Sequence, residues 1–465
     1  MNGLIIANVS LPQGRRDVRV VDGVVSEIGS ALDARRSEVI DGRGGAVIPG
    51  LHDHHLHLHA MAAAAHSVPC GPPHVSDPGD LAAALDAASP GPGTTWVRGV
   101  GYTETVAGLL DREVLDRLHA RRPVRLQHRS GAVWFLNSAA VAAADLAAGD
   151  HPGIERDHAG VPTGRLWRAD DWLRERLGGT GPPGLSDVGT ELARLGVTGV
   201  TDATPDLTAD SVGHLVAEHL TSALPQRLHL LGSSPEIPGG HPTVTVGPYK
   251  IVLADSDLPD FPTLCDRIRE VHENHRGVAA HCATRESLLL LLAALDAVGP
   301  HPDDRIEHGA VIAPETVAEL RRRRIPVVTQ PGFIVDRGDD YLDRLAPSDV
   351  DDLYRCRSLV AGQVRVALSS DAPYGPTDPW TVMTAAVHRA APDGRIVGSD
   401  ERIDHRTALR LYLAPPANPG AAPRRVEVGE SADLVVLDGS VDDALQAGSD
   451  AVQCTMIRGR VVYHR

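Results

Sequence analysis

The sequence is poor in cysteine, in positive charge and in long apolar runs, and each shortage excludes a class of protein. Five cysteines lie far apart without a CxxC pair, which argues against a disulfide framework and a thiolate zinc site. The most apolar run, 288–298, contains Asp296 and is too short to span a bilayer, and residues 1–13 lack the pattern of a signal peptide. The net charge of −16 disfavours nucleic acid, whose binding requires clustered Lys and Arg. We therefore expect a cytoplasmic protein with a small-molecule substrate and with neither a nucleic-acid nor a membrane partner.

Lysine is nearly absent as well. Only one of the 45 basic residues is a lysine, Lys250, and it lies in the apolar segment 247–253, where an unpaired ammonium would be costly. A buried lysine can lose its proton and act as a nucleophilic amine, which Arg cannot do. Such an amine can add CO₂ to become a carbamate, an anionic oxygen ligand. We interpret Lys250 as retained for this chemistry, with a chance lysine at a strand edge as the alternative.

The order of sequence patterns predicts an α/β fold. Short β-rich segments at both ends predict a small domain built from the two termini. Between them apolar strands alternate with helical stretches, a pattern typical of βα units. Their number and spacing favour a (β/α)₈ TIM barrel over an open sheet, because no GxGxxG follows the first strand. The candidate barrel strands are 46–51, 124–127, 199–203, 249–253, 278–281, 305–308, 326–329 and 364–369. Residues of about 60–185 are too many for one connection and predict an insertion.

The densest polar motif is the run Pro49-Gly50-Leu51-His52-Asp53-His54-His55-Leu56-His57-Leu58-His59. On a strand, residues two apart face the same way, so His55 and His57 can both face one ion. Neutral imidazoles are common ligands of Zn²⁺ and similar ions. A surface tract that collects metal is the alternative interpretation of such a run.

Three further polar residues end apolar segments: His281, His308 and Asp371. In a barrel, the carboxyl ends of the strands converge on the face where active sites are built. A single histidine at such a position is usually just hydrogen-bonded. Four histidines and an aspartate at matching strand ends instead favour a metal centre.

These residues resemble those of a known family. The motif of residues 49–57 is similar to the amidohydrolase superfamily signature, in which a Pro-Gly turn and an Asp precede the metal-binding HxH. The likeness continues in the superfamily's order through Lys250, His281, His308 and Asp371. Further stretches resemble the YtcJ-like subgroup, amidohydrolase family 3, over nearly the whole chain. They are 96–102, 137–138, 162–164, 305–308, 370–373 and 427–437.

The resemblance implies a distorted barrel over 51–414 and a β-sandwich formed by 1–50 and 415–465. It implies one or two divalent ions, Zn²⁺ above all. It also implies six ligands: His55, His57 and Asp371 on one ion, His281 and His308 on the other, and carbamylated Lys250 as the bridge. The expected reaction is hydrolysis of a non-peptide C–N bond, in an amide, formamide or cyclic amide, by metal-activated hydroxide. Lys250 and Asp371 would be catalytic, with Asp371 carrying the proton to the leaving amine.

The sequence does not identify the substrate. The subgroup usually has a Gly-His pair where this chain has Gly131-Ala132, so we expect a different set of substrate contacts. The candidates are Tyr102, Glu104, His128 and Trp134, for each of which structural packing is an alternative. The sequence also leaves open whether the chain forms a homo-oligomer.

Three other functions compete with C–N hydrolysis. A metal-dependent deaminase of a heterocycle usually carries Glu three residues after the strand-end histidine, whereas here that position is Thr284 and the acid is Glu286. A non-catalytic amidohydrolase-like scaffold would be expected to have lost metal ligands. In a nonspecific histidine-rich binding module, His54 and His59 would matter as much as the HxH pair.

Overall fold

The computed structural model describes residues 3–35, 37–88, 95–177, 181–234, 243–256 and 258–465. The chain forms two compact units. The first joins Met1–Leu58 to Gly184–Arg465, and the second is the continuous segment His59–Pro183. The second unit therefore begins just after the HxH motif.

The strands of the described residues fall into five sheets. In chain order they are β1 (Gly3–Leu11), β2 (Gly14–Val21), β3 (Val24–Gly29), β4 (Ser37–Asp41), β5 (Val47–Pro49), β6 (Leu51–Leu56), β7 (Val68–Pro69), β8 (Val97–Tyr102), β9 (Val124–His128), β10 (Val133–Leu136), β11 (Ile154–Arg156), β12 (Pro162–Trp167), β13 (Val197–Asp202), β14 (Arg227–Leu230), β15 (Val244–Val246), β16 (Tyr249–Val252), β17 (Val278–Cys282), β18 (Arg305–His308), β19 (Val327–Thr329), β20 (Val366–Leu368), β21 (Leu434–Leu437), β22 (Val452–Ile457) and β23 (Arg460–His464).

Many of the helices begin at a residue whose side chain accepts a hydrogen bond from the first turn, as Thr208, Asp260 and Asp404 do. No helix of the described residues is long and apolar enough to cross a membrane. The α-helices are α1 (Leu58–Ala65), α2 (Pro78–Ala88), α3 (Glu104–Ala107), α4 (Arg112–Leu118), α5 (Ser138–Ala143), α6 (Asp170–Arg176), α7 (Ser186–Arg194), α8 (Ala209–Leu220), α9 (Phe261–Glu273), α10 (Arg285–Val298), α11 (Pro314–Arg323), α12 (Phe333–Arg344), α13 (Pro347–Asp351), α14 (Arg357–Ala361), α15 (Pro379–His388), α16 (His405–Tyr412) and α17 (Val441–Ala447).

Two parallel sheets form the centre of the first unit. One has the strand order β15-β14-β13-β6 and the other the order β16-β17-β18-β19-β20. Every residue of β6 and of β13 is buried, as expected for parallel strands that are covered on both faces. Helices alternate with these strands along the chain, so the predicted α/β fold is confirmed.

Main-chain hydrogen bonds also run between the two parallel sheets. The N–H of Asp371 donates to the carbonyl of His55 at 2.9 Å, and the N–H of His57 donates to that of Ala372 at 2.9 Å. At the opposite edge of the five-stranded sheet, the N–H of Lys250 in β16 donates at 3.2 Å to the carbonyl of Leu231, the first residue after β14. The carboxyl end of β6 therefore lies beside the segment that follows β20.

The two ends of the chain supply two four-stranded sheets, of order β3-β2-β1-β4 and β23-β22-β21-β5. One cluster of buried apolar side chains draws on both sheets, with Ile6 and Val18 from the first and Leu434 and Met456 from the second. Alternate residues of a strand face opposite sides of the sheet, so each sheet can give one face to this cluster.

The second unit contains a six-stranded sheet of order β11-β12-β10-β9-β8-β7. The prediction of 124–127 as a barrel strand is wrong, because β9 pairs with β8 and β10 in this sheet. A short apolar run shows that a strand is buried but does not show which sheet it joins.

Two further strand predictions need correction. The predicted strand 46–51 is two elements, β5 in a terminal sheet and β6 in a parallel sheet, separated by Gly50. The strand β14 was not predicted at all. Its sequence Arg-Leu-His-Leu alternates polar and apolar residues, whereas parallel strands usually read as continuous apolar runs.

Gly50 provides a test of the packing between β6 and β13. A Cβ added at Gly50 would lie 2.1 Å from Cγ2 and 2.2 Å from Oγ1 of Thr198, which is buried and β-branched. We expect Gly50→Ala to lower the free energy of unfolding by roughly 1–3 kcal/mol, as overpacking does. In α8, an added Cβ at Gly213 meets nothing within 4 Å, so Gly213→Ala should raise that free energy by up to about 1 kcal/mol. Urea unfolding measures both, and equal stability of the two variants would contradict the packing.

Candidate metal centre

Polar side chains gather where the parallel strands of the first unit end. His55 lies near the end of β6 and His57 just beyond it, while His281 and His308 lie in the last two residues of β17 and β18, and Asp371 follows β20. His308 and Asp371 have φ angles of 69° and 56°, in the left-handed region that few residues other than glycine adopt. Strand ends that converge on one face explain why residues so distant in sequence meet.

Asp371 is at the centre of the cluster. Its Oδ1 lies 3.1 Å from Nε2 of His57 and 3.5 Å from Nε2 of His55, and its Oδ2 lies 3.8 Å from Nδ1 of His308. The candidate ligand atoms of His55, His308 and Asp371 all lie within 4.8 Å of one another. The Nζ atom of Lys250 lies 3.5 Å from the same Nε2 atom of His55.

His281 joins this cluster through its ring. Its ring centroid lies 4.3 Å from that of His308, and the centroid of His308 lies 4.8 Å from that of His55. The structure therefore brings together all six residues that the sequence predicted as ligands. His281 and His57 are the two of the six that lie least deeply buried.

The donor set fits a divalent metal ion. Ligand atoms around a tetrahedral Zn²⁺ with bonds of about 2.0–2.2 Å stand ~3.4 Å apart. The distances from Asp371 Oδ1 to the Nε2 atoms of His57 and His55, 3.1 and 3.5 Å, are close to that spacing. A chelating group of this composition, two imidazoles and a carboxylate, is typical of zinc and related ions.

Burial also prepares these groups as ligands. Desolvation, with the nearby charge of Lys250 as a second cause, lowers the pKa of His55 well below its usual range, and desolvation does the same for the pKa of His308. Both imidazoles are therefore neutral at pH 7, which is the form that binds metal. Desolvation lowers the pKa of Lys250 too, against the carboxylates of Glu307 and Asp371, which raise it.

Three residues that contact these histidines were not predicted from the sequence. The Nδ1 atom of His57 lies 3.1 Å from the hydroxyl of Thr204, and Nδ1 of His308 lies 3.0 Å from the side-chain oxygen of Gln330. The Nδ1 atom of His55 is hydrogen-bonded to the carboxylate of Glu307. Thr204 and Gln330 follow β13 and β19, so their position at strand ends was the available signal. For Glu307 the signal was an acid within a buried strand.

Two other residues of this run, His52 and Asp53, have structural contacts. His52 is buried and its Nε2 lies 2.9 Å from the hydroxyl of Thr201. Asp53 accepts hydrogen bonds from the N–H groups of His55 and Ser370, at 3.1 and 3.2 Å. Desolvation raises the pKa of Asp53 to about 7. Asp53 thus ties the end of β6 to the segment that carries Asp371.

The four candidate substrate residues all belong to the second unit. Tyr102 is fully buried, and its hydroxyl donates to a main-chain carbonyl at 2.6 Å. Trp134 is buried, and its indole N–H donates to the carboxylate of Asp170 at 2.8 Å. His128 Nε2 lies 3.2 Å from a carboxylate oxygen of Glu104. Tyr102 and Trp134 therefore make the packing contacts that were the alternative to a substrate-binding role.

The chain is similar to known proteins over most of its length. Residues 38–463 match the model of the Amidohydrolase family. The chain is 26% identical to an N-substituted formamide deformylase of Arthrobacter pascens, over 94% of this chain and 93% of the relative. It is 25% identical to the putative amidohydrolase YtcJ of Bacillus subtilis (strain 168), over 96% of each chain. A crystal structure of a metal-dependent hydrolase from Pyrococcus horikoshii shares the fold, with a TM-score of 0.73 at 18% identity over 94% of this chain and 97% of that one.

The family match spans the strands that carry the cluster and nearly all of the terminal sheet β23-β22-β21-β5, whereas β1, β2 and β3 precede it. It includes all six clustered residues, and the resemblance to YtcJ-like proteins is confirmed by a relative of that name. The chain belongs to the amidohydrolase family.

Proposed function

We propose that this chain is a metal-dependent hydrolase of a non-peptide C–N bond in an amide, a formamide or a cyclic amide. The observation that carries the proposal is the cluster around Asp371, in which the imidazoles of His55, His57 and His308 lie close to one carboxylate, two of them at the spacing of metal ligands. A relative that aligns with nearly the whole of this chain is an N-substituted formamide deformylase. Formamides are therefore the first substrate class to test.

The proposal includes a fold. Hydrogen bonds between the parallel sheets at both edges support closure into a distorted (β/α)₈ barrel over 51–414, with the active site at the carboxyl ends of its strands. The cluster of apolar side chains between the terminal sheets supports a β-sandwich formed by 1–50 and 415–465.

The six clustered residues would hold one or two divalent ions, Zn²⁺ in the first place. When bound, such ions lower the pKa of a water molecule and polarise a carbonyl group. We assign His55, His57 and Asp371 to one ion, His281 and His308 to the other, and Lys250 to the position between them. Thr204 and Gln330 would orient His57 and His308 through their contacts with the Nδ1 atoms.

Asp371 is the proton carrier in this proposal. Its carboxylate lies among the histidines, and its main-chain N–H donates a hydrogen bond to the carbonyl of His55 at 2.9 Å. It can take the proton of the attacking water and deliver it to the nitrogen of the leaving amine. No other carboxylate of the described residues lies in the tight group of candidate ligands.

Lys250 enters the proposal as a carbamate. Its burial lowers the pKa of the ammonium, which favours the neutral amine. The amine nitrogen forms a bond to the carbon of CO₂ and releases one proton, which leaves an anion with two oxygen ligands. That anion would offset cationic charge where a lysine ammonium would add to it.

A deaminase is less well supported. The residue three positions after His281 is Thr284, which caps helix α10 by accepting from the N–H of Ser287 at 3.2 Å. Its hydroxyl also donates to the carboxylate of Asp255 at 2.6 Å. Thr284 is therefore the N-cap residue of α10. It has no carboxyl group that could serve as the proton donor of a deaminase.

The ligand assignment predicts metal content. We expect His55→Ala and His57→Ala to lose most of the zinc bound by the wild-type protein, because each removes a ligand nitrogen from the group around Asp371. His54→Ala and His59→Ala serve as matched controls from the same run and should keep it. Elemental analysis of protein purified without chelator measures the difference. Equal loss in all four variants would support a nonspecific histidine-rich module instead, and wild-type metal below about 0.2 equivalents would support a scaffold.

The bridging role predicts that lysine cannot be replaced by arginine. Lys250→Arg keeps the positive charge but cannot form a carbamate, so we expect a folded protein with no measurable hydrolysis. Circular dichroism checks the fold. In Lys250→Ala, short carboxylates such as acetate or propionate should restore part of the activity by supplying the missing oxygens. A fully active Lys250→Arg enzyme would exclude the carbamate.

The substrate class predicts a simple assay. Zinc-loaded protein should release formate and a primary amine from N-substituted formamides, and a chelator should abolish the release until zinc is restored. Both products are measured by chromatography. The Asp371→Asn variant is expected to lose about 10²–10⁴-fold in rate, because the amide cannot accept the water's proton. Turnover that survives complete removal of metal would contradict the proposed function.

A further inference from the structure

Glu307 is a buried acid in the strand β18, next to His308 in sequence. It is 0% exposed, and so is the histidine that it contacts, His55. One carboxylate oxygen, Oε2, is hydrogen-bonded to Nδ1 of His55, and the other, Oε1, accepts from Nε of Arg305. Each oxygen of this carboxylate therefore has its own donor, and neither is available to solvent.

This contact determines which ring nitrogen of His55 carries the hydrogen. Paired with the guanidinium of Arg305, the Glu307 carboxylate accepts hydrogen bonds, so Nδ1 of His55 is the donor and carries the hydrogen. The other nitrogen, Nε2, is then the one with a free lone pair in the neutral ring. That atom is the one that faces Asp371 at 3.5 Å and Lys250 Nζ at 3.5 Å.

Arg305 holds this carboxylate in place. Arg305 and Glu307 lie two apart on β18 and so face the same side of the strand. Besides its bond to Glu307, Arg305 donates through Nη2 to the carbonyl of His54 at 3.2 Å. The guanidinium therefore holds both the carboxylate and the main chain of the residue just before His55.

We propose that Glu307 is a positioning residue of the metal site, which together with Arg305 fixes the tautomer and the ring orientation of His55 so that Nε2 faces the ion. The inference rests on the proposed metal-dependent function. Carboxylates that accept from a ligating histidine are known to raise the basicity of the ligand and to affect metal affinity by roughly 10–100-fold. A purely structural ion pair would have no such effect on metal binding.

The chain offers a matched control for a structural ion pair. Glu401 is 2% exposed and accepts from Arg355 at 2.6 Å, and its second oxygen accepts from the N–H of Ser358 at 2.9 Å. Like Glu307 it is a buried glutamate with an arginine and a second donor. Neither Arg355 nor Ser358 belongs to the histidine cluster, so replacement of Glu401 tests the loss of a buried pair by itself.

The experiment compares Glu307→Gln with Glu401→Gln in the full-length protein, using Co²⁺ as the probe. Competition with a chelator gives the Co²⁺ affinity, the visible absorption bands report the geometry around the ion, and thermal unfolding gives the stability. We expect Glu307→Gln to bind Co²⁺ about 10–100-fold more weakly with altered bands. Glu401→Gln should lose thermal stability while its Co²⁺ affinity and bands stay as in the wild type.

Wild-type Co²⁺ affinity and bands in Glu307→Gln, whatever its stability, would overturn the inference and leave a structural ion pair. If Glu307→Gln does not fold, the double variant Arg305→Gln/Glu307→Gln, which removes both charges of the buried pair, is judged by the same criterion. Failure of the proposed function is distinguishable, because the wild-type protein itself would then bind no metal at His55 and would release no amine from formamides.

Discussion

The candidate metal site depends on main-chain hydrogen bonds between the carboxyl end of β6 and the segment that follows β20. The N–H of Asp371 donates to the carbonyl of His55, and the N–H of His57 donates to that of Ala372. These two bonds join residues 316 and 315 positions apart in sequence and bring the imidazoles close to the carboxylate. The side chain of Asp53 strengthens the same junction through the N–H of Ser370. Without these hydrogen bonds, the HxH motif would not have the carboxylate of Asp371 beside it.

Much of the site was predictable because it rests on two local rules. Alternation along a strand separates His55 and His57 from His52 and His54, and apolar runs that end in a polar residue mark the carboxyl ends of buried strands. The rules fail where a strand breaks the pattern. β14 alternates polar and apolar residues although both its neighbours are parallel, and β9 looks like a barrel strand but belongs to the other unit. Which strands pair is decided by long-range packing, which a short sequence window does not contain.

The contacts behind the ligands were less predictable for a similar reason. Glu307 stands beside a recognisable histidine, but its partner His55 comes from a strand at the start of the chain. The lone lysine is the opposite case, because its rarity in the composition is enough to single it out. Composition and periodicity therefore single out residues that the structure brings together. The contacts of these histidines with Glu307, Thr204 and Gln330 can be identified only from the structure, because they join segments that are separated in sequence.

The backbone conformation of His308 and Asp371 sets stability against the candidate site. His308 and Asp371 have φ angles of 69° and 56°, a conformation that costs residues other than glycine about 1–2 kcal/mol. Replacement by glycine would relieve that strain while removing a proposed ligand, so selection for backbone stability alone would act against the candidate metal centre. A stability-driven redesign of this protein would favour the same loss. A redesign guided by backbone strain alone would therefore remove two of the side chains on which the proposed chemistry depends.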